Sequence, residues 1–265
     1  MIASEVTKQH RQLFSNKRVY FTFLVWPVTV VATTYFMYQP FQGGAGGASV
    51  AFLGDNSSVF MFALTGQLGY TFFYSMTESA WRLAGERYQG TLEIVFLSPV
   101  NRLAFLMGQA LVFLFQAVWM FTVLYVAIVL WIKVSVGTAL VMGAVGILVL
   151  TVSAFAWGTF LNSVFLLSRD SGLLYQIFQD PVSVLSGVQV PVQALPSAVR
   201  GVAQAIPLTV SLQIIRSGLA GGDLRSAGTS LLILLPVCGL LFLVAWFLTG
   251  VGERRARKFG EYGLF

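Results

Sequence analysis

Charges are so unevenly spread along this chain that its apolar runs stand out at once. Leu103 to Ile132 is 30 residues without a charge, and Val134 to Ser168 is 35. Six apolar segments can be drawn, near Val19 to Tyr38, Ser58 to Thr77, Leu103 to Ile132, Val136 to Leu167, Leu173 to Val190 and Leu231 to Gly250. About 20 helical residues cross the roughly 30 Å hydrocarbon layer of a bilayer, so the pattern predicts six spans. Each should be helical, because in lipid the backbone must satisfy its own hydrogen bonds and the ten-residue alternation of a membrane barrel is missing. The third and fourth segments exceed the layer and must tilt, break or protrude into the cytoplasm. The fifth is less regular.

Composition agrees with the pattern. Hydrophobic residues make up 57% of the 265 and charged residues 10%, against about 25% charged in ordinary soluble domains. The expected fold is all-α and polytopic, a single transmembrane domain over 1–265. Residues 1–18 would be an interface helix, 19–250 the six-span bundle and 251–265 a cytoplasmic tail. Ile2, Val6, Leu13 and Phe14 recur near helical spacing among Glu5, Lys8, His10 and Arg11, the pattern of an amphipathic helix on the inner leaflet. A signal peptide is the other reading of the N-terminus. The first apolar stretch is too long for a signal core, which favours a retained span, with Gly43 to Ser49 as a flexible external loop.

The basic residues set the orientation, since loops rich in Lys and Arg stay in the cytoplasm. With the N-terminus inside, Lys8, Arg11, Lys17, Arg18, Arg82, Arg87, Arg102, Arg169, Arg254, Arg255, Arg257 and Lys258 are cytoplasmic. Lys133, Arg200, Arg216 and Arg225 lie opposite. Both termini are then cytoplasmic, in an inner or plasma membrane. The net charge of +6 calls for no nucleic acid, because juxtamembrane bases facing anionic lipid account for it. His10 and Cys238 are each the only residue of their type. They offer no triad, disulfide or metal site, so no catalytic residue, metal or bound cofactor is expected.

The most informative polar stretch is ERYQGTLEIVFLSPVNR, Glu86 to Arg102. Glu86 and Arg87 are costly in hydrocarbon, so the chain should leave the membrane there. Gly90 permits a tight reversal, and Thr91 and Glu93 suit the start of a short helix. Ser98 and Pro99 fit the cap and first position of the next long helix. A well-capped ordinary loop is the alternative.

This stretch resembles the loop between the second and third spans of the ABC type-2 exporter permeases, where a charged pair, GTLE and a following SPV with a basic residue recur. LSGVQVPVQALP at Leu185 to Pro196, followed by AIPLTVSLQIIRSGLAGG at Ala205 to Gly222, is similar to that family's fifth span and external hairpin. The amphipathic N-terminus, six spans and basic tail extend the likeness over nearly the whole chain. The resemblance implies a half-transporter paired with a second copy or a paralogue. Glu86, Arg87, Gly90, Thr91, Leu92 and Glu93 would form the coupling element that docks on a separate ATPase subunit, where ATP and Mg would bind. No G-x-x-x-x-G-K-[ST] occurs, so the chain has no phosphate-cradling loop of its own.

Polar residues at membrane depth are the other candidates. Glu78 lies at the inner end of the second segment and reads as interfacial. Asp180 falls inside the fifth, where it either caps a broken helix with Pro181 at its first position or marks a point on the cargo path. Pro191, Pro196 and Pro207 break helices, so the stretch from Pro191 to Arg225 should be a re-entrant or external helical hairpin, with Gly187 just before it. Asp180, Pro181, Gly187, Pro191, Pro196 and Pro207 are thus the path or gate candidates. Tyr70, Tyr74 and the other aromatics of the first two segments read mostly as lipid-facing or interface anchors, an aromatic groove for a sugar chain or amphiphile being the alternative. A self-contained secondary transporter or channel is the competing functional class, one that would show inverted repeats and paired mid-membrane charges.

Overall fold

A computed structural model describes residues 56–90, 101–132, 136–168, 170–219 and 224–259, with isolated helical positions at Thr7, Val25, Val28, Thr29, Ala32, Thr33 and Phe36. The remainder of the 1–18 helix, the Gly43 to Ser49 loop, Thr91 to Pro99 and the tail beyond Phe259 lie outside the described residues. Among those described, every regular element is helical: α1 Asn56–Tyr88, α2 Arg102–Ile132, α3 Val136–Leu167, α4 Ser171–Leu185, α5 Ser197–Gln204, α6 Pro207–Leu219 and α7 Leu224–Phe259.

Three of these are long and apolar enough to cross a membrane, over Arg102–Ala127, Leu140–Leu167 and Thr229–Gly252. A fourth crossing is open only if α5 and α6, bent by 89° at their junction, count as one broken span. The expected second span falls on α1, which is not among these three, and the expected fifth is different in kind. Leu173 to Val190 becomes the 15-residue α4 and a turn, and 15 residues reach only about 22 Å. α2 and α3 run unbroken for 31 and 32 residues.

Caps explain where the helices begin. Asn101 Oδ1 accepts from Ala104 N at 3.2 Å, so Asn101 caps α2 where the sequence suggested Ser98. Asp170 Oδ1 accepts from Leu173 N at 3.0 Å and caps α4. The cap expected at Asp180 is therefore ten residues upstream, and Pro181 lies inside the helix. The three later prolines behave as punctuation: Pro191 precedes a 3-10 turn at Val192–Ala194, Pro196 precedes α5 and Pro207 opens α6.

The core lies where α1, α2, α3 and α6 meet, around Phe72, Phe73, Met76, Phe113, Phe121, Leu150, Leu161, Phe165, Leu208 and Leu212. Small residues permit the close approach, as they do between helices in membranes. A Cβ at Gly158 would lie 2.5 Å from Met76 Sδ, and one at Gly69 would lie 2.6 Å from Leu212 Cδ2. α7 packs along α3, where Ser163 and Thr249 hydroxyls meet at 3.2 Å. Buried hydroxyls are made inexpensive by bonding the carbonyl one turn back, as Ser75, Thr77, Ser153, Ser163 and Thr249 all do.

Candidate functional site

α1 carries one stripe that the bundle leaves partly open. Between Ala63 and Ala84 the positions that are not buried are Gln67, Tyr70, Tyr74, Glu78, Trp81 and Arg82. Their spacing of three and four is one face of a helix. The face is an amide, two phenols, a carboxylate, an indole and a guanidinium, whereas the buried faces of the same helix hold Leu64, Leu68, Phe72, Phe73 and Met76. The usual arrangement, apolar toward lipid, is inverted here.

α4 lies along this stripe and holds it in shape. Tyr70 Oη donates to the Gln179 carbonyl at 3.0 Å, and Trp81 meets Tyr175 at 5.3 Å between ring centroids, tilted by 59°. Tyr175 also shares a side-chain hydrogen bond with Tyr74, whose ring is 6.4 Å from that of Tyr70. Behind them Trp157 packs against Phe73 at 6.1 Å and Phe178 at 5.9 Å, an aromatic wall joining α1, α3 and α4. Glu78 Oε2 accepts from Gln116 Nε2 at 3.4 Å. On its outer side α4 shows Leu173, Gln176, Ile177, Asp180, Pro181 and Val184. Asp180 interacts electrostatically with Tyr70, and Glu78 with Tyr175, so both carboxylates border the tyrosine cluster.

At the other end of α1 a second polar constellation closes the bundle. Arg216, in the last turn of α6, donates from Nη1 to the Gly187 carbonyl at 2.8 Å, from Nη2 to the Phe62 carbonyl at 2.9 Å and from Nε to Thr65 Oγ1 at 3.2 Å. Its guanidinium carbon stands 3.6 Å from the centre of the Phe62 ring, a cation–π contact. Gly187 adopts φ +79°, so only glycine turns the chain there without strain, and Gly66 leaves room for the Val188 carbonyl. One side chain thereby ties α1, the turn after α4 and α6 together.

The residues singled out from sequence fall into separate places. Glu86 and Arg87 sit in the last turn of α1, which runs on to Tyr88 and does not stop near Thr77. Gly90 follows at φ +71°, as the reversal required. Thr91, Leu92 and Glu93 lie outside the described residues. Asp180 and Pro181 are outward-facing on α4, and Gly187 belongs to the Arg216 junction. Pro191 and Pro207 are buried and Pro196 is exposed. Sequence reasoning missed the stripe and Arg216. Tyr70 and Tyr74 are not simple lipid anchors, since both bond α4, one through the Gln179 carbonyl and the other through Tyr175. The signal was present in the periodic Gln67, Tyr70, Tyr74, Glu78 and Trp81 of a segment whose other positions are apolar or small.

No model of a known protein family matches the chain, and a search of curated proteins finds no match either. The functional reading rests on this geometry and on the motif resemblance.

Proposed function

We propose that the chain is the transmembrane permease subunit of an ATP-driven ABC exporter. It works in an inner or plasma membrane beside a second copy or a paralogue and two ATPase subunits that bind ATP and Mg. The observation that carries this reading is the continuity of α1. At 33 residues it is about 50 Å long, and it bears the polar stripe along its length and Glu86 and Arg87 at its end. Phe62 to Trp81 would occupy about 30 Å of hydrocarbon, which leaves the last two turns and ERYQGTLEIV on the cytoplasmic side. A push on that motif would move the stripe as a rigid body. The bent α5–α6 pair, held by Arg216, would form the outer gate, and the stripe with Asp180 would line the path for the cargo.

The test is coupled ATP hydrolysis in vesicles holding this chain with its ATPase. Gly90→Pro forbids the φ of +71°, because proline is locked near −65°. That variant, and the double reversal Glu86→Lys with Arg87→Glu, should abolish cargo-stimulated hydrolysis while the chain still inserts. Undiminished coupling in both would overturn the assignment.

A further inference from the structure

We infer that the α1–α4 face binds lipophilic organic cations, an inference that rests on the reading of this face as the substrate path and names the chemistry of its cargo. On the placement of α1 proposed above, the face would lie at the depth of the acyl chains, so a ligand reaching it would have to partition into lipid. Its walls are π faces: Tyr70, Tyr74, Tyr175 and Trp81, of which indole holds a cation best. The ring pairs are set at 55° and 59° to each other. The face is therefore angular, which suits a compact cation with radiating groups better than the flat ring of a sugar.

The sign of the charge follows from what borders those rings. Glu78 and Asp180 supply two carboxylates next to the tyrosine cluster, on a chain whose net charge is +6. A carboxylate at membrane depth is costly to retain, and a mobile cation is one means of offsetting it. Arg82, on the same stripe, interacts with Glu78 and stands 5.8 Å over the Phe113 ring on α2. Arg216 is committed to Gly187, Phe62 and Thr65. An anion of the same size meets Asp180 and the negative faces of four rings, with Glu78 offset by Arg82. Shape alone would accept both, and charge separates them.

Tetraphenylphosphonium and tetraphenylborate match in size and shape and differ in sign, so binding of each to the full chain in lipid nanodiscs is the experiment. The phosphonium should bind saturably, and the borate should only partition linearly into lipid. Glu78→Gln with Asp180→Asn should weaken phosphonium binding by about tenfold or more, and Trp81→Leu by several-fold. Asp180→Glu, which keeps the charge, should restore most of the affinity to the Asp180→Asn background and so excludes misfolding as the cause. Linear partitioning of the phosphonium, equal saturable binding of the borate, or indifference to the double substitution would overturn the inference. So would a copy-to-copy crosslink through Gln176→Cys that excludes the cation, since the face would then be a subunit interface. Failure here is separable from failure of the exporter reading. Coupled hydrolysis that responds to the Gly90→Pro change without phosphonium binding condemns only the cargo class. Charge-selective binding that no ATPase ever drives condemns only the exporter.

Discussion

The outward side chains of α7 and those of the α1–α4 face belong to one bundle and are chemically opposite. α7 shows Leu231, Leu232, Ile233, Leu235, Leu240, Leu243, Trp246 and Phe247, a surface that hydrocarbon solvates without cost. α2 and α3 do the same with Leu111, Phe115, Trp119, Leu140, Val141 and Leu148. The α1–α4 face shows Gln67, Tyr70, Tyr74, Glu78, Gln176 and Asp180. Hydrocarbon would penalise that set, an Asp alone by about 2.5 to 3.5 kcal/mol at mid-membrane on insertion scales. The difference teaches that outward does not mean lipid-facing. A membrane protein keeps such a face only where water, cargo or another protein meets it.

The comparison can be broken most decisively by moving a charge. Leu240→Asp on α7 should cost about 3 kcal/mol, whereas Gln67→Asp on α1 should cost well under half of that. Thermal unfolding of both variants in nanodiscs would measure the gap, and equal losses would erase the distinction between the two faces. Arg216→Met comes next. It removes three charge-assisted bonds and leaves the carbonyls of Phe62 and Gly187 without that donor, at about 2 kcal/mol or more. Faster backbone amide exchange over 186–190, with the α7 helix unchanged, would check that the loss is local. The smallest effect has the opposite sign. Gln109 is fully buried, and neither of its amide atoms has a partner among the described residues. Gln109→Leu should therefore raise stability by about 1 kcal/mol, and a loss in the same unfolding assay would mean that ordered water satisfies the amide.

Much of the fold was legible. Apolar runs of 20 residues or more have no stable state in lipid other than a helix, which is why α2 and α3 could be placed to within a residue and the apolar centre of α7, Thr229–Gly252, to within two, although α7 itself extends well past that centre at both ends. The prolines at 191, 196 and 207 and the glycine at 90 were legible for a similarly local reason, since each acts through its own backbone. The short α4 was not, because Asp180 and Pro181 resemble a helix start until Asp170 is seen to supply the cap. The end of α1 was overlooked because Glu78, Arg82, Glu86 and Arg87 look like the end of a span, yet the helix continues past them.

The candidate site divides in the same way. That ERYQGTLEIV is a polar element next to an apolar span could be seen directly in the residues. Arg216 gave no such sign, because its three acceptors come from α1 and the turn after α4, up to 154 positions away. The stripe on α1 was periodic in the chain, but periodicity says only that six residues share a face.

What the sequence by itself determined was the class of molecule and the position of its apolar helices, because burying backbone in hydrocarbon admits so few solutions. Only the tertiary structure decided which of those helices show lipid an apolar side and which present tyrosines and carboxylates. That choice depends on what α4 and α6 cover, and contacts between distant segments are set by packing and not by local pattern.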